Sequence, residues 1–232
     1  MHPQPKAHKW ETHLHTAEAS ACAVTSGAEM VRVHQAAGYE GIVVTDHFFN
    51  GNTAVPANLH WHERVTLFCK GYENALREAS RMGMHVLFGL EFGYHATEFL
   101  TFGLTPEFLH DHPGMAAWSP EVFFKEVHRA GGYVSHAHPF REASYIPHIR
   151  LYPEGVDAVE IRNASHMNPE WDRKALAYAR EHGLAMTAGS DSHDANRLFG
   201  GGMVFHQAIG SAEELIQAIR NNAWEIPEST ET

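Results

Sequence analysis

Residues 11–16 read ETHLHT and end a short β-like run. The side chains of a strand alternate between two faces, so His13 and His15 share one face and Leu14 takes the other. Two imidazoles side by side make a good pair of metal ligands. Taken alone, this stretch is equally compatible with two solvated histidines at an edge, so the choice depends on the rest of the chain.

The composition indicates a sizeable apolar core and an acidic surface. The length of 232 residues fits one large α/β domain as well as two small ones, and with 44% hydrophobic and 19% charged residues there is no sign of wholesale disorder. The formal net charge is −11, which argues against a basic face that coats DNA or RNA, so we expect no nucleic-acid partner. A small anionic substrate is still compatible with this charge if a metal cluster supplies local positive charge.

The chain contains two cysteines, Cys22 and Cys69, far apart and in no metal-ligand spacing. This usage suggests a reducing compartment without a disulfide framework. The N-terminal stretch MHPQPKAHKW has no apolar signal core, and no stretch is long and apolar enough to span a bilayer. We therefore expect a cytoplasmic protein with no membrane partner, and the sequence does not indicate an oligomeric state.

Short β-like runs alternate with helix-like stretches along the whole chain. Helix-start signals are the capping boxes at 26–29 and 211–214 and the prolines Pro120 and Pro169. A long helix is predicted over residues 62–82. The β-like runs are HKWETHLH (8–15), GIVVTDH (41–47), HVLFGLEFG (85–93), FLTFGL (99–104), GYVSHAHP (132–139), DAVEIRN (157–163) and LAMTAGSDSH (184–193).

Strands that alternate with helices indicate parallel βαβ units. About seven such units in a chain of this length predict an α/β fold that closes, or nearly closes, into a barrel over residues 1–232. An open doubly wound sheet is the alternative. Neither G-x-G-x-x-G nor G-x-x-x-x-G-K-[ST] follows any of the runs, so the sequence does not indicate a dinucleotide or P-loop site.

Imidazole and carboxylate side chains lie at the ends of these β-like runs. In a parallel barrel such strand ends open on one face, where catalytic groups gather. We therefore expect separate strands to deliver these side chains to one rim. The residues concerned are His13, His15, Asp46, His47, Glu91, His136, His138, Asp191 and His193.

Mixed nitrogen and oxygen ligands suit Zn²⁺, Mn²⁺ or Fe, and the lack of nearby thiols argues against a cysteine-type structural zinc site. One ion takes about four to six ligands. The number of candidates at the rim therefore predicts two or three divalent ions. Glu91 lies between the two groups and is the natural bridge, because each of its oxygens can bind one ion.

The ordered set of motifs resembles the PHP (polymerase and histidinol phosphatase) family. The resemblance covers most of the chain and ends near Asn221. It implies a distorted (β/α)7 TIM-like barrel with a site for two or three metals, often with phosphoesterase activity on small phosphate monoesters. The motifs are THLHT (12–16), GIVVTDHF (41–48), GLEFGY (89–94), AHPFR (137–141) and GSDSH (189–193).

The resemblance also implies a ligand set for the first metal. By position, His13 and His15 match its imidazole ligands, Glu91 matches the bridging carboxylate and Asp191 completes the coordination sphere.

The remaining motifs match ligands of the other two metals. His138 matches a ligand of the second metal, and His47 and His193 match ligands of the third. Glu18 is the best match for a further ligand that family members carry shortly after the first motif. The run FLTFGL lacks the histidine that some members supply to the second metal, and Glu98 is the nearest acid.

Several other polar residues have a weaker link to this chemistry. Asp46 could orient a histidine or cap its strand, and Glu160 suits a structural or orienting role. His136 lies where the family usually has an apolar or small residue. The H-x-H spacing at 60–62 runs straight into a helix-like segment, which favours a solvated loop.

Arg141 and Arg197 are the cations best placed to reach the rim. A guanidinium group matches phosphate geometry bidentately, so both are candidates for substrate binding. A surface salt bridge is the equally weighted alternative for each.

The sequence therefore predicts a metal-dependent phosphoric ester hydrolase that uses a metal-activated water on a small phosphorylated substrate. Glu91 and Asp191 are expected to fix the metal spacing, and His193 or a water to protonate the leaving alkoxide.

Two alternatives remain open. One is a non-catalytic metal-binding PHP domain. The other is an amidohydrolase, which commonly needs a modified lysine at a middle strand end. No lysine ends a strand after the third run, which lowers the weight of the amidohydrolase; the lysines are Lys6, Lys9, Lys70, Lys125 and Lys174.

Overall fold

The structure, a computed structural model, describes residues 7–227. Residues 1–6 and 228–232 lie outside the described part, including Lys6 and most of the N-terminal stretch discussed above. The described residues form one nine-stranded sheet flanked by helices.

Each predicted β-like run overlaps a strand, and two short strands follow near the C-terminus. The strands are β1 (His8–Leu14), β2 (Gly41–Val44), β3 (His85–Tyr94), β4 (Thr97–Phe102), β5 (Tyr133–Ala137), β6 (Ala158–Asn163), β7 (Ala185–Gly189), β8 (Met203–Phe205) and β9 (Trp224–Glu225). β8 and β9 are too short to show a period-2 pattern, which is why the sequence did not predict them.

The helices begin largely where the capping signals indicate. The side chains of Ser26 and Ser211 accept hydrogen bonds from the backbone N–H of Glu29 and Glu214. The helices are α1 (Gly27–Ala36), α2 (Trp61–Phe68), α3 (Lys70–Met82), α4 (Pro106–Asp111), α5 (Pro120–Arg129), α6 (Pro169–Glu181) and α7 (Ala212–Arg220), with a 3-10 turn at Met115–Ala117. Within residues 7–227, no helix has both the length and the apolar character needed to cross a bilayer.

The predicted single helix over 62–82 is two helices, α2 and α3, that meet at Cys69. Gly71, in the first turn of α3, permits a close contact just after this junction. A Cβ at this position would collide with Thr16, so the absence of a side chain lets α3 lie against the loop after β1.

The strand order in the sheet is β7-β6-β5-β4-β3-β2-β1-β8-β9. Pairs β1–β2, β2–β3, β5–β6 and β6–β7 are parallel, whereas β4 is antiparallel to both β3 and β5. The fold is mixed α/β as predicted, but the antiparallel β4 interrupts the alternation of parallel strands and helices that the predicted distorted (β/α)7 barrel implies. The cause is a tight hairpin between β3 and β4, in which His95 and Ala96 have φ of 48° and 63°.

The sheet curls so that the end of β1 lies beside the segment that follows β7. The Asp191 N–H donates to the His13 carbonyl at 2.8 Å, and the His15 N–H donates to the Ser192 carbonyl at 2.8 Å. Buried Glu11 joins the same two segments, because its Oε1 accepts from the N–H groups of His13 and Ser190 at 2.9 Å and 3.0 Å. The two sequence-distant motifs are thereby held together at one rim.

Candidate metal centre

The buried carboxylate of Glu91 lies at the centre of the rim, among four histidines. Its Oε1 is 3.2 Å from His13 Nε2 and 3.3 Å from His138 Nε2. Its Oε2 is 2.5 Å from His47 Nδ1 and 3.8 Å from His15 Nε2. The predicted bridging residue therefore has imidazole nitrogens next to both of its oxygens.

Asp191 approaches the same group from the end of β7. Its Oδ1 lies 3.4 Å from His13 Nε2, 3.2 Å from His15 Nε2 and 3.6 Å from His193 Nδ1. Its Oδ2 accepts a hydrogen bond from the Arg141 guanidinium at 2.5 Å. Asp191 thus links the histidines to one of the two predicted phosphate-binding arginines.

The backbone at two of these positions is left-handed. His138 has φ of 27° and Asp191 has φ of 57°, values that residues other than glycine rarely adopt. His138 directly follows β5, and Asp191 comes two residues after the end of β7. Such strain gathers at functional sites, where surrounding contacts hold it in place.

The donor atoms form several overlapping groups, each with its ligand atoms within 4.8 Å of one another. Among the described residues, Nε2 of His13 and of His15, Nδ1 of His47 and both Glu91 oxygens are buried and make no hydrogen bond. Buried polar atoms are almost always satisfied, so these groups fit divalent ions as their missing partners. The groups are His15–His47–His193, His13–His138–Asp191, His13–His15–Glu91 and His47–Glu91–Glu98.

The charges at the rim depend on one another. Burial raises the pKa of Glu91, but His47, His13 and His138 outweigh burial and hold it well below its usual range. Burial and the neighbouring Glu91 carboxylate raise the pKa of Glu98 to about 8. A divalent cation would favour the ionised form of both acids, so the pair also fits a metal site.

Two hydrogen-bond chains orient the first pair of histidines. Glu160 Oε1 lies 2.8 Å from His13 Nδ1, and its Oε2 accepts from the His138 N–H at 3.0 Å. Ser20 Oγ lies 3.3 Å from His15 Nδ1 and donates to Asp46 Oδ1 at 2.7 Å. Carboxylate partners of this kind fix the tautomer and ring orientation of metal-binding histidines.

The environment of Gly189 shows how tightly the His13–Glu160 pair is packed. A Cβ on Gly189 would collide with His13 Cβ and lie 2.8 Å from Glu160 Oε1. Glycine at this position is therefore needed for the carboxylate to reach the imidazole.

Glu98 lies at the cluster, although the sequence offered it only as the nearest acid. Its carboxylate oxygens lie 3.7 Å from His47 Nδ1 and 3.5 Å from His138 Nε2. Because β4 is antiparallel, its first residues lie at the rim, and Glu98 pairs with Gly93 of β3 and Ala137 of β5. The sequence did not reveal the direction of β4, so it could not place Glu98 at the rim.

The structure does not bring Glu18 to the cluster. Its carboxylate accepts from the Gly27 N–H at 3.0 Å and from Asn74 Nδ2 at 2.9 Å. These contacts tie the loop after β1 to the start of α1 and to α3, and they occupy the oxygens that the predicted ligand role requires.

Cys22 lies at the rim, contrary to the expectation of no nearby thiol. Its side chain is within hydrogen-bonding reach of His47 and His193. Cys69 is buried near the junction of α2 and α3. Sequence spacing could not reveal Cys22, since its neighbours come from the segments that follow β2 and β7.

Other histidines lie away from the cluster. His136 is buried and packs against the rings of Phe99 and Tyr152, with centroid distances of 5.2 Å and 6.3 Å. His60 and His62 are exposed at the start of α2, in agreement with the solvated interpretation.

Two cavities of about 450 and 460 Å³ open beside the cluster and share Cys22, Arg141, Asp191 and His193. Arg141 is largely covered, and it also donates to Ser165 Oγ at 3.3 Å. The larger cavity is lined in addition by Ser165, His166, Met167, Trp171, Asp194, Arg197 and Phe199. Both predicted arginines therefore face a cavity next to the histidines.

Comparison with known proteins finds one matching sequence profile and several structures of similar fold. A sequence profile of the family PHP_C, described as PHP-associated, matches residues 169–223. In structure, the chain is similar to a two-domain protein from Bacteroides vulgatus that contains a predicted PHP-like metal-dependent phosphoesterase, with a TM-score of 0.70 and 15% identity. The match covers 97% of this chain and 65% of that protein, so the chain spans less than two thirds of its length. The chain has the fold of a PHP domain.

Two other solved structures share this PHP fold. An amidohydrolase from Chromobacterium violaceum with bound sulfate has a TM-score of 0.60 and 15% identity, over 97% of this chain and 100% of that one. Endonuclease Q, solved with a DNA duplex carrying an abasic lesion, has a TM-score of 0.63 and 12% identity, over 93% of this chain and 57% of that one. No curated protein sequence matches the chain. At these identities the likeness establishes the fold alone.

Proposed function

We propose that this PHP domain is a metal-dependent phosphoesterase that hydrolyses a small phosphate ester. The observation that carries the proposal is the buried Glu91 carboxylate, which has imidazole nitrogens beside both oxygens and no hydrogen-bond partner among the described residues. This arrangement suits a carboxylate that bridges two divalent ions. The choice of Zn, Mn or Fe, and of two ions or three, is left to metal analysis.

Residues of this chain have two roles at the site, metal binding and orientation of the metal ligands. His13, His15, Glu91 and Asp191 would hold one ion, and His138 with Glu91 and Glu98 a second. When bound, such ions supply Lewis-acid stabilisation of phosphoryl oxygens and activation of the attacking water. Glu160 keeps the His13 ring in the orientation that presents Nε2 to the cluster.

The arginines are the proposed phosphate-binding groups. Arg141 is held by Asp191 and Ser165 at the boundary of the two cavities, where its guanidinium can reach a phosphoryl group beside the cluster. Arg197 is exposed at the mouth, 5.5 Å from the Phe199 ring centroid. We assign Arg141 to the transferred phosphoryl group and Arg197 to a more distant part of the substrate.

His193 has one ring nitrogen available for chemistry. Its Nδ1 lies 2.8 Å from the Asp191 carbonyl and donates to it, so Nε2 is the nitrogen that can bind an ion or carry a proton. One nitrogen cannot bind an ion and donate a proton at the same time. The grouping with His15 and His47 favours the ligand role, so we assign protonation of the leaving alkoxide to water.

A small substrate suits both the cavity size and the charge. Cavities of about 450 and 460 Å³ match a small organic ester. The formal net charge of −11 disfavours a long polyanion, since nucleic-acid affinity rests mainly on neutralised phosphates. Met167, Trp171 and Phe199 line the larger cavity and offer an apolar surface to the alcohol part of the ester.

The proposal is tested by turnover of p-nitrophenyl phosphate and bis-p-nitrophenyl phosphate by the purified chain. Each reaction is run after chelation and after readdition of Zn²⁺, Mn²⁺ or Fe²⁺. We expect metal-dependent hydrolysis of the monoester in preference to the diester.

Parallel assays separate the alternatives. Metal-stimulated cleavage of an oligonucleotide, but not of small esters, would indicate a nuclease. Hydrolysis of amides alone would indicate an amidohydrolase. Bound metal without turnover of any ester or amide would indicate a non-catalytic PHP domain.

A further inference from the structure

The position of Cys22 is fixed by backbone hydrogen bonds on both sides. The N–H of Ala21 donates to the Asn52 carbonyl at 2.8 Å, and the N–H of Val24 donates to the His193 carbonyl at 3.0 Å. The loop after β1 is thus fastened to the two segments that carry His47 and His193. The position of the thiol at the rim follows from this attachment.

The Cys22 side chain lines both cavities beside the cluster and is within hydrogen-bonding reach of His47 and His193. The thiolate is the form that binds metals.

An independent feature points to an ion at this position. Ring nitrogens of His15, His47 and His193 lie within 4.8 Å of one another, and His15 stacks on each of the other two at 4.2 Å between centroids. His15 Nε2 and His47 Nδ1 are buried, and neither makes a hydrogen bond with a described residue. Imidazoles packed this closely favour cations between them. Because His15 is assigned to the first ion, His47 and His193 are the rings available to an ion at the outer position.

We propose that Cys22 binds the ion at this outer position as a thiolate ligand, together with His47 and His193. The outer position then has a nitrogen and sulfur donor set, whereas the positions around Glu91 have nitrogen and oxygen. Sulfur ligands favour Zn²⁺ and other thiophilic ions over Mn²⁺ or Mg²⁺. The two parts of the cluster therefore prefer different metals.

This inference rests on the metal site in the proposed function but not on the reaction. Cobalt substitution of the full chain tests it, because a thiolate bound to Co²⁺ gives an intense charge-transfer absorption in the near ultraviolet. We expect this band in the wild-type chain loaded with Co²⁺, and metal content measured by mass spectrometry on the same samples.

Three variants make the test specific. Cys22→Ser should lose the band and about one Co²⁺ per chain, while Cys22→Asp should lose the band and retain the ion through oxygen. Cys69→Ala removes the buried thiol away from the site and should keep the band. Near-ultraviolet circular dichroism checks that each variant is folded.

The outcomes decide the two proposals separately. If Co²⁺-loaded wild-type chain shows no thiolate band, or if the band survives in Cys22→Ser, the ligand assignment is wrong. A Cys22-dependent band in a chain that hydrolyses no phosphate ester would support the ligand assignment and refute the phosphoesterase. Metal-dependent ester hydrolysis without the band would support the phosphoesterase and refute the ligand assignment.

Discussion

Two buried histidines in different regions of the molecule have opposite electrostatic surroundings. His34 lies in α1, with its Nδ1 bonded to the Met30 carbonyl at 2.8 Å, and burial lowers its pKa to about 4. His13 lies at the rim and is at least as buried. There too burial lowers the pKa, but Glu160 and Asp191 outweigh it and raise the pKa of His13 well above its usual range.

The difference shows what the rim is built to hold. In the helical layer a buried histidine is neutral and satisfied by a neighbouring carbonyl, as the cost of burying charge requires. At the rim, carboxylates surround imidazoles whose Nε2 atoms make no hydrogen bond with a described residue. Such an excess of acceptors favours positive charge in the site, and divalent ions would provide it more strongly than protons.

The largest expected effect comes from Glu91→Ala, which removes the carboxylate shared by four histidines. Turnover of a phosphate ester should fall more than about 100-fold, beyond the loss caused by removing an orienting partner alone. Metal content should fall with it, as measured by mass spectrometry after gel filtration. Full metal content with turnover within tenfold of wild type would show that Glu91 is not a bridging ligand.

Glu160→Gln tests the orienting role and should have a smaller effect. Glutamine keeps the shape but loses the charge that binds His13 Nδ1, so metal affinity should weaken roughly 10- to 100-fold. Titration with a competing chelator measures the affinity. Glu73→Gln, on exposed α3 beside Lys70, is the matched control and should leave affinity unchanged.

Arg197→Ala tests the outer edge of the site, where no metal ligand is touched. The KM for a phosphate ester should rise more than about tenfold with little change in kcat, because the arginine binds substrate and transition state alike. Arg81→Ala on α3 serves as the control for loss of an exposed guanidinium. An unchanged KM would remove Arg197 from the substrate site.

The smallest expected effect concerns His34 and the pH dependence of stability. Its pKa is about 4 in the folded chain and 6.5 ordinarily, so between these values the unfolded chain binds the extra proton. The free energy of unfolding should therefore fall as pH falls through this window, by at most about 1.4 kcal/mol per pH unit.

Urea unfolding of His34→Leu and wild type at a series of pH values measures this contribution. The variant should show the shallower acid limb, while His148→Gln, at an exposed position, should follow the wild type. Identical slopes for His34→Leu and wild type would mean that His34 does not couple to folding.

Much of the rim could be predicted because each motif follows a strong local signal. His13, His47, Glu91 and Asp191 each come near the end of a β-like run, and the structure places all of them within one cluster. Helix starts at Ser26 and Ser211 were equally local. Short-range patterns of this kind survive folding because hydrogen bonding and burial reinforce them.

Three errors share a physical cause, which is that they depend on contacts between distant segments. Glu98 lies at the rim because β4 runs antiparallel after a tight hairpin. Glu18 lies away from the rim because Gly27 and Asn74 donate hydrogen bonds to its carboxylate. Cys22 lies at the rim because backbone hydrogen bonds hold its loop against the segments that carry His47 and His193.

By itself, the sequence determined seven of the nine strands and most of the polar side chains that stand at their ends, since alternation and capping act over a few residues. Only the tertiary structure decided the direction of β4, the curl that joins β1 to the end of β7, and the neighbours of Cys22. These features depend on hydrogen bonds between distant segments, such as the bond from the His15 N–H to the Ser192 carbonyl, which spans more than 100 residues of sequence. Local sequence patterns do not indicate such bonds.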